Sequence, residues 1–333
     1  MENQYQLQRM ENKKVLIIGG LGAIGSNIAH TTISLGAEVT IFDNMMKSAG
    51  ANLANIKEIK DKIKFIKGDL RNYKDVKTAI MGKDIIYNCA AQVSHTLSMQ
   101  DPYLDIDINC KGNINLLECC RKYNPSVKII HTGSRSQFGK QKKLPITEDS
   151  LDFPPDIFSA NKLAAELYGE IYHKIYGLAT TTLRLTNIYG PRGQANNPGY
   201  SIVNWFIGKA VLNEDLTVFE PGTQLRDLVY MQDAVDAIIL ASQNHKAEGK
   251  TFIVGSGLGI SLVELSKMIV TISNKGNVKL IPWSSQRKSI EPGDVILDYS
   301  KIKNELGWYP KTSIQEGIKK TIDFYKDKKE DYF

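Results

Sequence analysis

Long apolar segments are absent from this sequence. Among its 333 residues, no stretch approaches the ~20 consecutive apolar residues that a membrane-spanning helix needs. Residues 1–12 are predominantly polar, unlike the apolar core of a secretory signal peptide. These absences predict a cytoplasmic protein that does not act in a membrane.

Cysteine is also scarce. The four cysteines, Cys89, Cys110, Cys119 and Cys120, lie on apolar strand-like or helix-like runs and form no Cys-x-x-Cys pairs. We therefore expect buried free thiols rather than a zinc site or a disulfide framework, and we predict no metal site.

The excess of positive charge is small. The formal net charge is +6, and the lysines are scattered rather than interleaved with aromatic residues that stack on bases. This pattern argues against nucleic-acid binding and is typical of a solvated surface. A mild positive field is compatible with a small substrate that carries phosphate groups.

What the sequence does contain is a regular alternation of strand-like and helix-like segments, with strands that are apolar on both faces. This pattern predicts an α/β fold with a Rossmann-type, doubly wound parallel sheet covered by helices on both sides. The predicted strands are Val15–Gly19, Val39–Phe42, Ile63–Lys67, Ile85–Asn88, Val127–Thr132 and Thr180–Leu185, and the predicted helices lie near Ile24–Leu35, Asn52–Lys60, Pro102–Tyr123 and Asp156–Tyr176.

The composition changes after Asn187, where loops rich in Gly, Pro and Asn interrupt the alternation. We interpret residues 187–333 as a smaller, mainly substrate-binding part, interleaved with the last sheet elements, because ligands in such folds bind outside the carboxyl ends of the strands. Residues 13–186 form the predicted dinucleotide-binding domain, and residues 1–12 a polar N-terminal extension. Residues 326–333 are charged and are expected to fray.

A glycine-rich loop follows the first predicted strand. Gly19, Gly22 and Gly25 are spaced for a tight turn, for the approach of a pyrophosphate to the backbone, and for close packing of helix on strand. The N-terminus of the next helix offers free N–H groups to an anion. Glycines at this spacing also occur in ordinary turns, so the loop alone is a weak indication.

Asp43 strengthens the prediction of a dinucleotide site. It ends the second predicted strand, 18 residues after Gly25, where an acidic side chain hydrogen-bonds the ribose hydroxyls of NAD. A carboxylate at this place repels the 2′-phosphate of NADP, so we expect NAD as the cofactor. The alternative is that Asp43 and Asn44 only start a turn.

With these motifs, the sequence from Lys13 to Tyr325 resembles the extended short-chain dehydrogenases/reductases. The resemblance is to the NAD-dependent nucleotide-sugar epimerases and dehydratases typified by UDP-galactose 4-epimerase. The matching segments occur in order and are GGLGAIGS (19–26), FDN (42–44), GDL (68–70), NCAAQVSH (88–95), HTGSRSQFG (131–139), SANKLAAE (159–166), RLTNIYGPR (184–192), QLRDLVYMQD (224–233) and LGWYP (306–310).

The resemblance implies further cofactor-binding residues. Besides the three glycines and Asp43, it points to positions in the glycine-rich loop, after the second, third and fourth strands, and on the following helices. These are Ala23, Ile24, Asn44, Asp69, Leu70, Ala90, Ala91, Gln92, Asn109 and Lys162.

The catalytic residues implied by the resemblance are a Ser or Thr and a Tyr-x-x-x-Lys pair. Ser134 and Lys162 match, but Phe158 stands in the place of the tyrosine. Phenylalanine keeps the ring and lacks the hydroxyl that moves a proton during hydride transfer, and losing a general acid/base costs roughly 10²–10⁴-fold in rate.

Three interpretations of Phe158 are open. The chain is an engineered Tyr→Phe variant, or another group such as Ser134 or Tyr200 relays the proton, or the protein only binds its ligands. The sequence favours the first, since the rest of the constellation is intact and Phe is the least disruptive replacement. On that interpretation turnover is slow, and Phe158→Tyr raises it by about 10²-fold or more.

The reaction that the resemblance implies is 4-epimerisation of a nucleotide-diphosphate sugar. Dehydratases of the family carry an Asp-Glu pair just after the catalytic Ser or Thr, and decarboxylases a Glu two residues after it. Here those positions are Arg135 and Ser136, which are not carboxylates. The alternatives are a dehydratase or decarboxylase of the same fold, and a non-catalytic protein that binds NAD or sugar nucleotide.

On the substrate side, the resemblance points to Ser94, Ser134, Asn187, Arg192, Tyr200 and Arg226, with Arg287 as a further candidate for the diphosphate. The guanidinium of Arg226 offers a planar fork for phosphate oxygens. The alternative to this substrate-binding role is an ion pair of Arg226 with Asp227 or Asp233. Related epimerases often have an arginine where this chain has Glu291, which puts that phosphate contact in doubt.

The resemblance also implies a homodimer, formed by the helices near Pro102–Tyr123 and Asp156–Tyr176. Both helices carry apolar stripes that are wide enough for one face on the sheet and another on a partner. The stripes are Leu116, Leu117 and Cys120 on the first helix, and Leu163, Leu167, Ile171 and Ile175 on the second.

Overall fold

A computed structural model describes residues 5–283 and 291–333. Its centre is a seven-stranded, fully parallel sheet in the order β10-β6-β5-β4-β1-β2-β3. These strands are β1 (Lys14–Ile18), β2 (Glu38–Asp43), β3 (Ile63–Lys67), β4 (Ile85–Asn88), β5 (Lys128–Ser134), β6 (Ala179–Leu185) and β10 (Lys250–Val254). The predicted α/β fold with a doubly wound parallel sheet is confirmed.

Helices connect these strands and cover the sheet. They are α1 (Ala23–Ser34), α2 (Tyr73–Ile80), α3 (His95–Gln100), α4 (Pro102–Asp105), α5 (Gly112–Tyr123), α6 (Ile157–Tyr176) and α8 (Met231–Gln243). Short 3₁₀ turns lie at Lys47–Ala49, Leu53–Lys62, Arg135–Phe138 and His245–Ala247, and a π-helical turn, Ile106–Lys111, joins α4 to α5.

The first strand shows why the sheet is buried on both faces. Successive side chains of a strand point to opposite sides. Val15 and Ile17 pack in one core with residues of α1 and α8, whereas Leu16 and Ile18 pack in another core with residues of α2 and α5. Continuous apolar runs therefore specify a sheet between two layers of helices.

The strand order positions the site. The chain runs outward from β1 through β2 to β3, and then returns to the other side of β1 as β4. Helices consequently diverge on either side of the gap between β1 and β4, and a crevice forms beyond the carboxyl ends of these strands.

Most of the remaining elements form a smaller C-terminal part. A three-stranded sheet contains β7 (Asn187–Tyr189), β9 (Leu225–Tyr230) and β11 (Gly259–Ser261), and β8 (Leu216–Phe219) pairs with β12 (Val278–Ile281). The helices are α7 (Ile202–Val211), α9 (Leu262–Ser273), α10 (Ser300–Leu306), α11 (Ile314–Asp327) and α12 (Lys329–Tyr332). This part is interleaved with the sheet domain, because β10 lies in the main sheet and α10 packs beside it through Ile302 and Leu306.

The C-terminal tail differs from its prediction. Instead of fraying, the chain forms α12, whose Tyr332 is buried and donates a hydrogen bond of 2.7 Å to Oδ1 of Asn55. The prediction was wrong because it was based on the charged residues of this segment and not on its two aromatic residues. The ring of Tyr332 packs against that of Tyr325, with centroids 5.4 Å apart.

Other local predictions need smaller corrections. The predicted helix near Pro102–Tyr123 is divided by the π-helical turn, and the one near Asn52–Lys60 is a run of 3₁₀ turns. Residues 5–12 pack on the sheet domain through the buried side chains of Tyr5 and Met10.

Two further observations concern the cysteines and the membrane. Cys119 and Cys120 are buried, whereas Cys89 and Cys110 are half-buried, and all four thiols are free. Within residues 5–283 and 291–333, none of the helices has the length and apolar character required to cross a bilayer.

Candidate active site

One cavity of about 540 Å³ opens at the carboxyl ends of the parallel strands. Both halves of the chain contribute to its wall, so a ligand in it would contact the glycine-rich loop and the C-terminal part together. The predicted residues that line it are Gly19, Gly22, Ala23, Ile24, Gly25, Asp43, Asn44, Asp69, Leu70, Ala90, Ala91, Ser134, Phe158, Lys162, Asn187, Tyr200 and Arg226.

The glycine-rich loop forms a cradle of bare backbone. Gly19 has a φ of +75°, and a Cβ there would lie 2.7 Å from the backbone nitrogen of Ala90. A Cβ on Gly25 would overlap the carbonyl oxygen of Gly19. Helix α1 starts after Gly22 without any side-chain cap, so its first N–H groups remain available to an anion. This geometry fits the pyrophosphate of a dinucleotide.

Asp43 lies at the end of β2, next to this loop. Its Oδ2 accepts a hydrogen bond of 3.0 Å from the N–H of Leu21, and its Oδ1 accepts one of 2.7 Å from Met45. Burial raises the pKa of Asp43, and the two N–H bonds oppose that shift. Each oxygen keeps a lone pair that can accept a ribose hydroxyl.

Asp69 is held in the adjacent wall by two neighbours. Arg71 donates to both carboxylate oxygens, at 2.9 and 2.7 Å, and Asn44 donates to Oδ2 at 3.0 Å. The hydrogen bonds of Arg71 lower the pKa of Asp69 to about 2 despite partial burial. The carboxylate therefore stays ionised and fixes the orientation of Asn44.

Gln92 and Asn109 lie behind the cavity wall. The N–H of Gln92 donates to Oδ1 of Asn109 at 3.1 Å, and the amide of Asn109 returns a bond of 3.0 Å to the carbonyl of Gln92. Both amides also donate to the buried carboxylate of Asp105. Their polar groups are thus satisfied within the protein and position the loop that carries Ala90 and Ala91.

Lys162 lies on α6 beneath the cavity and is buried. Its Nζ donates to the carbonyl of Thr132 at 2.5 Å and lies 3.4 Å from Nε2 of His131. Burial lowers the pKa of Lys162 to about 8, and burial together with the lysine charge lowers the pKa of His131 well below its ordinary value. Lys162 thus lines the cavity as a cation that is held by a backbone carbonyl, and the carboxylates of Asp105 and Glu166 act on it without forming an ion pair among the described residues.

Ser134 ends β5 and lines the same cavity. Its hydroxyl lies 2.8 Å from the hydroxyl of Ser136, and the N–H of Ser134 donates to Oε1 of Gln137 at 2.8 Å. The bond to Gln137 belongs to a capping box on the short 3₁₀ turn, in which the Ser134 side chain also accepts from a backbone N–H. The serine side chain is therefore held at the cavity rather than free to rotate into solvent.

Phe158 occupies the first turn of α6 and is 6% exposed. Its ring lies edge-on to the imidazole of His95, with ring centroids 4.9 Å apart. Nδ1 of His95 is 2.6 Å from Oδ2 of Asp156, which caps the N-terminus of the same helix. The sequence does not predict this pair, because its only local signal is a histidine directly after the segment assigned to the cofactor site.

Arg226 forms an ion pair with Glu291, the residue that stands where related epimerases often have an arginine. Its Nη2 lies 2.5 Å from Oε1 of Glu291, and its Nη1 donates to the carbonyls of Leu225 and Gly293 at 2.8 Å. The alternative partner Asp227 instead accepts hydrogen bonds from backbone N–H groups.

Asp233, the other alternative partner of Arg226, accepts a hydrogen bond from the N–H of Thr312. Near Arg226 in the same cavity, Asn187 accepts a hydrogen bond of 3.3 Å from Arg135.

The remaining substrate candidates are dispersed. Arg192 lies outside the cavity wall, where it donates to Asn27 at 2.8 Å. Ser94 caps α3 and lines a second cavity of about 160 Å³. Tyr200 lines the main cavity and donates to the carbonyl of Ser48. Arg287 lies outside the described residues.

Comparison with known proteins gives consistent relatives. Residues 16–321 match the family model described as GDP-mannose 4,6-dehydratase. CDP-paratose 2-epimerase of Salmonella typhi is 30% identical, with 93% of this chain and 98% of the relative covered. A protein of Methanocaldococcus jannaschii described as a putative UDP-glucose 4-epimerase is 31% identical, with 94% and 98% covered.

A solved structure is similar over its whole length. It is the UDP-glucose 4-epimerase of Thermus thermophilus in complex with NAD, which is 28% identical to this chain. The alignment covers 94% of this chain and 98% of that one, with a TM-score of 0.83.

Proposed function

The chain belongs to the GDP-mannose 4,6-dehydratase family, and from this membership we propose that it is an NAD-dependent nucleotide-sugar 4-epimerase. The predicted resemblance to nucleotide-sugar epimerases and dehydratases is confirmed at the level of the family. The observation that carries the proposal is the cavity in which the glycine-rich loop, Ser134 and Lys162, and Asn187 and Arg226 meet.

The residues present fit NAD. The bare backbone around Gly19 and Gly25 accommodates a pyrophosphate, the carboxylate of Asp43 accepts ribose hydroxyls, and Lys162 places a cation beside the inner end of the cavity. Bound NAD supplies a reversible hydride acceptor, which is the chemistry that epimerisation requires. The NAD complex of the Thermus enzyme supports this choice of cofactor.

The chain's own residues would orient the sugar. The hydroxyl of Ser134, fixed by its capping box, would hydrogen-bond the hydroxyl of the reacting carbon. Asn187 and Arg226 lie in the C-terminal part of the cavity, where they would hold the nucleotide diphosphate. The names of two relatives, CDP-paratose 2-epimerase and putative UDP-glucose 4-epimerase, support a substrate of this class.

Epimerisation is favoured over water loss by the residues after Ser134. Expulsion of a hydroxyl needs an acid, and a guanidinium and a hydroxyl are poor proton donors near neutral pH. Burial lowers the pKa of Arg135 to about 10, which still leaves the group charged at neutral pH. A charged Arg135 is a binding group for an anion or a carbonyl rather than a general acid.

Phe158 lowers the turnover rate that we expect for this epimerase. A tyrosine at this position would carry the proton of the sugar hydroxyl, and the phenylalanine ring cannot. Unless a different side chain moves that proton, turnover is lower by roughly 10²–10⁴-fold.

We further propose a homodimer through α6 and the segment that precedes α5. Leu116, Leu117 and Cys120 are buried in the core of the protomer, so they face the sheet rather than a partner. The apolar side chains available on the outside are instead Tyr103, Ile106, Leu167, Ile171 and Ile175. The cytoplasmic location stays a prediction.

The test is a proton NMR assay with NAD and a panel of UDP-, GDP-, CDP- and dTDP-sugars, preselected by thermal shift. Conversion to the C4 epimer is the expected result, and inversion at C2 would move the reaction to a different carbon. Release of water would identify a dehydratase. Tight binding of NAD and sugar nucleotide without conversion would identify a binding protein.

A further inference from the structure

We propose that His95, oriented by Asp156, is the acid/base that moves the sugar hydroxyl proton in this chain. The inference rests on the proposed epimerase function and adds a catalytic residue to it. It also selects among the interpretations of Phe158, since it provides a proton relay that does not need a phenol.

The two residues are placed where the relay is needed. His95 begins α3 and lines the main cavity together with Ser134, Phe158 and Lys162. Its imidazole packs against the edge of the Phe158 ring, with centroids 4.9 Å apart. The imidazole is thus adjacent to the side chain that occupies the usual place of the phenol.

Asp156 gives the imidazole a fixed orientation. The carboxylate is almost buried, with 6% side-chain exposure, and lies 2.6 Å from Nδ1 of His95. It also accepts a hydrogen bond of 2.8 Å from the N–H of Ser159, so the helix terminus holds it in place. Burial raises the pKa of Asp156, but the hydrogen bond and charge of His95 and the bonds of Ser159 outweigh this effect and hold it below its ordinary value.

This arrangement determines which nitrogen is the base. An ionised carboxylate at Nδ1 favours the tautomer with a proton on that nitrogen, and leaves Nε2 with its lone pair. Within residues 5–283 and 291–333, Nε2 of His95 has no hydrogen-bond partner. Imidazole changes charge near neutral pH more readily than any other ordinary side chain, so it can both accept and return a proton.

The proton and the hydride of the sugar would go to different acceptors. Nε2 of His95 would accept the proton of the C4 hydroxyl, the C4 hydrogen would leave with its electron pair as a hydride to bound, oxidised nicotinamide, and a carbonyl would form at C4. After the sugar has turned, the electron pair and hydrogen return to the opposite face of C4. Nε2 then gives its proton back to the oxygen, and the imidazole is neutral again.

Several charged groups surround this pair. Asp156 on α6 lies beside the imidazole of His95, and Arg135 lines both cavities with His95. Further along the main cavity are the cation of Lys162 and the pair of Arg226 with Glu291.

The first experiment needs no substrate. Nitrogen-15 NMR of the NAD-bound protein should show His95 with a proton on Nδ1 and none on Nε2 near neutral pH. Asp156→Asn should shift this tautomer balance, while asparagine still caps α6. A proton on Nε2 throughout the assay range would overturn the assignment of that nitrogen as the base.

The second experiment uses the sugar nucleotide whose conversion the NMR panel detects. His95→Gln should lower kcat by about 10²-fold or more, leave KM nearly unchanged, and remove the acid limb of the pH profile of kcat. His245→Gln is the matched control, because His245 forms a similar pair with Glu248 at 2.8 Å on the exposed surface.

The outcomes separate this inference from the proposed function. If no sugar nucleotide is converted, the epimerase function fails and the role of His95 fails with it. If conversion occurs and His95→Gln leaves kcat and the pH profile unchanged, only the role of His95 is overturned. Equal losses in His95→Gln and His245→Gln would likewise contradict it.

Discussion

Nη2 of Arg226 lies 2.5 Å from Oε1 of Glu291, and the guanidinium is 7% exposed in the cavity wall. The arginine that was predicted to bind the substrate diphosphate thus already has an anionic partner. Phosphate oxygens would have to compete with a carboxylate for the same donor. The pair therefore restricts how strongly Arg226 can hold a diphosphate.

Glu291→Gln should strengthen the binding of a nucleoside diphosphate. Amide oxygens accept hydrogen bonds without a negative charge, so Arg226 would gain about 1–2 kcal/mol of interaction with phosphate, and Kd would fall about tenfold. Isothermal titration calorimetry with UDP, GDP, CDP and dTDP measures this. Glu305→Gln, which disrupts the exposed pair with Lys250, is the control. Weaker binding in Glu291→Gln would show that Glu291 instead positions Arg226 for the ligand.

The contrast between Gly19 and Arg226 shows which features a sequence can predict. The glycine-rich loop and the apolar strands depend on residues that are near one another in the chain, so their pattern is visible in the sequence. The partners of Arg226 and His95 are 65 and 61 residues away. Such pairs form only when separate elements pack, and no local spacing reports them. Arg192 illustrates the same limit, since it donates to Asn27, which is 165 residues away.

Asp43→Ala should weaken NAD binding and reduce the preference of the protein for NAD over NADP. The carboxylate is expected to accept ribose hydroxyls, and a charged hydrogen bond of this kind contributes about 1.5–3 kcal/mol, so Kd for NAD should rise about tenfold or more. Fluorescence titration with both cofactors measures the effect. Asp61→Ala, on the exposed surface, is the control. Equal affinity of the unaltered chain for NADP would refute the role of Asp43.

Lys162→Met should make the stability of the cofactor-free protein less dependent on pH. Burial lowers the pKa of Lys162 from 10.5 to about 8. Between these values the unfolded chain binds a proton that the folded one does not, so the free energy of unfolding rises with pH through this window. Below pH 8, both states are protonated, and the folded state carries the full cost of the buried charge. The variant should therefore be more stable at pH 7, by on the order of 2 kcal/mol.

Urea denaturation of both proteins at pH 7 and pH 10 measures this difference, which should shrink at the higher pH. Lys174→Met is the control, because Lys174 is exposed on the same helix. A constant difference across the two pH values would mean that Lys162 keeps an ordinary pKa in the folded protein.

Ile171→Lys should convert a homodimer to monomers. Ile171 is 53% exposed on α6, between Leu167 and Ile175, and a lysine there would place a charge in the predicted interface. Light scattering at micromolar concentration measures the mass. Leu258→Lys is the control, since Leu258 is 64% exposed in the C-terminal part. A monomer in the unaltered chain would contradict the dimer.

Phe158→Tyr separates the two possible routes of the proton. The sequence alone predicts that this substitution raises turnover by about 10²-fold or more, because it restores the missing hydroxyl four residues before Lys162. If His95 already moves the proton, the gain in the unaltered chain should be less than about tenfold. The larger gain of about 10²-fold should then appear only in the His95→Gln background, where the phenol has no competitor.

The measurement is kcat for four proteins: the unaltered chain, each single variant and the double variant, each with NAD and the converted sugar nucleotide. Ground-state binding should stay constant across them, since Asn187 and Arg226 are unchanged. A rescue confined to the His95→Gln background would indicate that the imidazole and the phenol perform the same step. A gain of 10²-fold in both backgrounds would instead show that Phe158 alone limits the enzyme, and that His95 has no part in proton transfer.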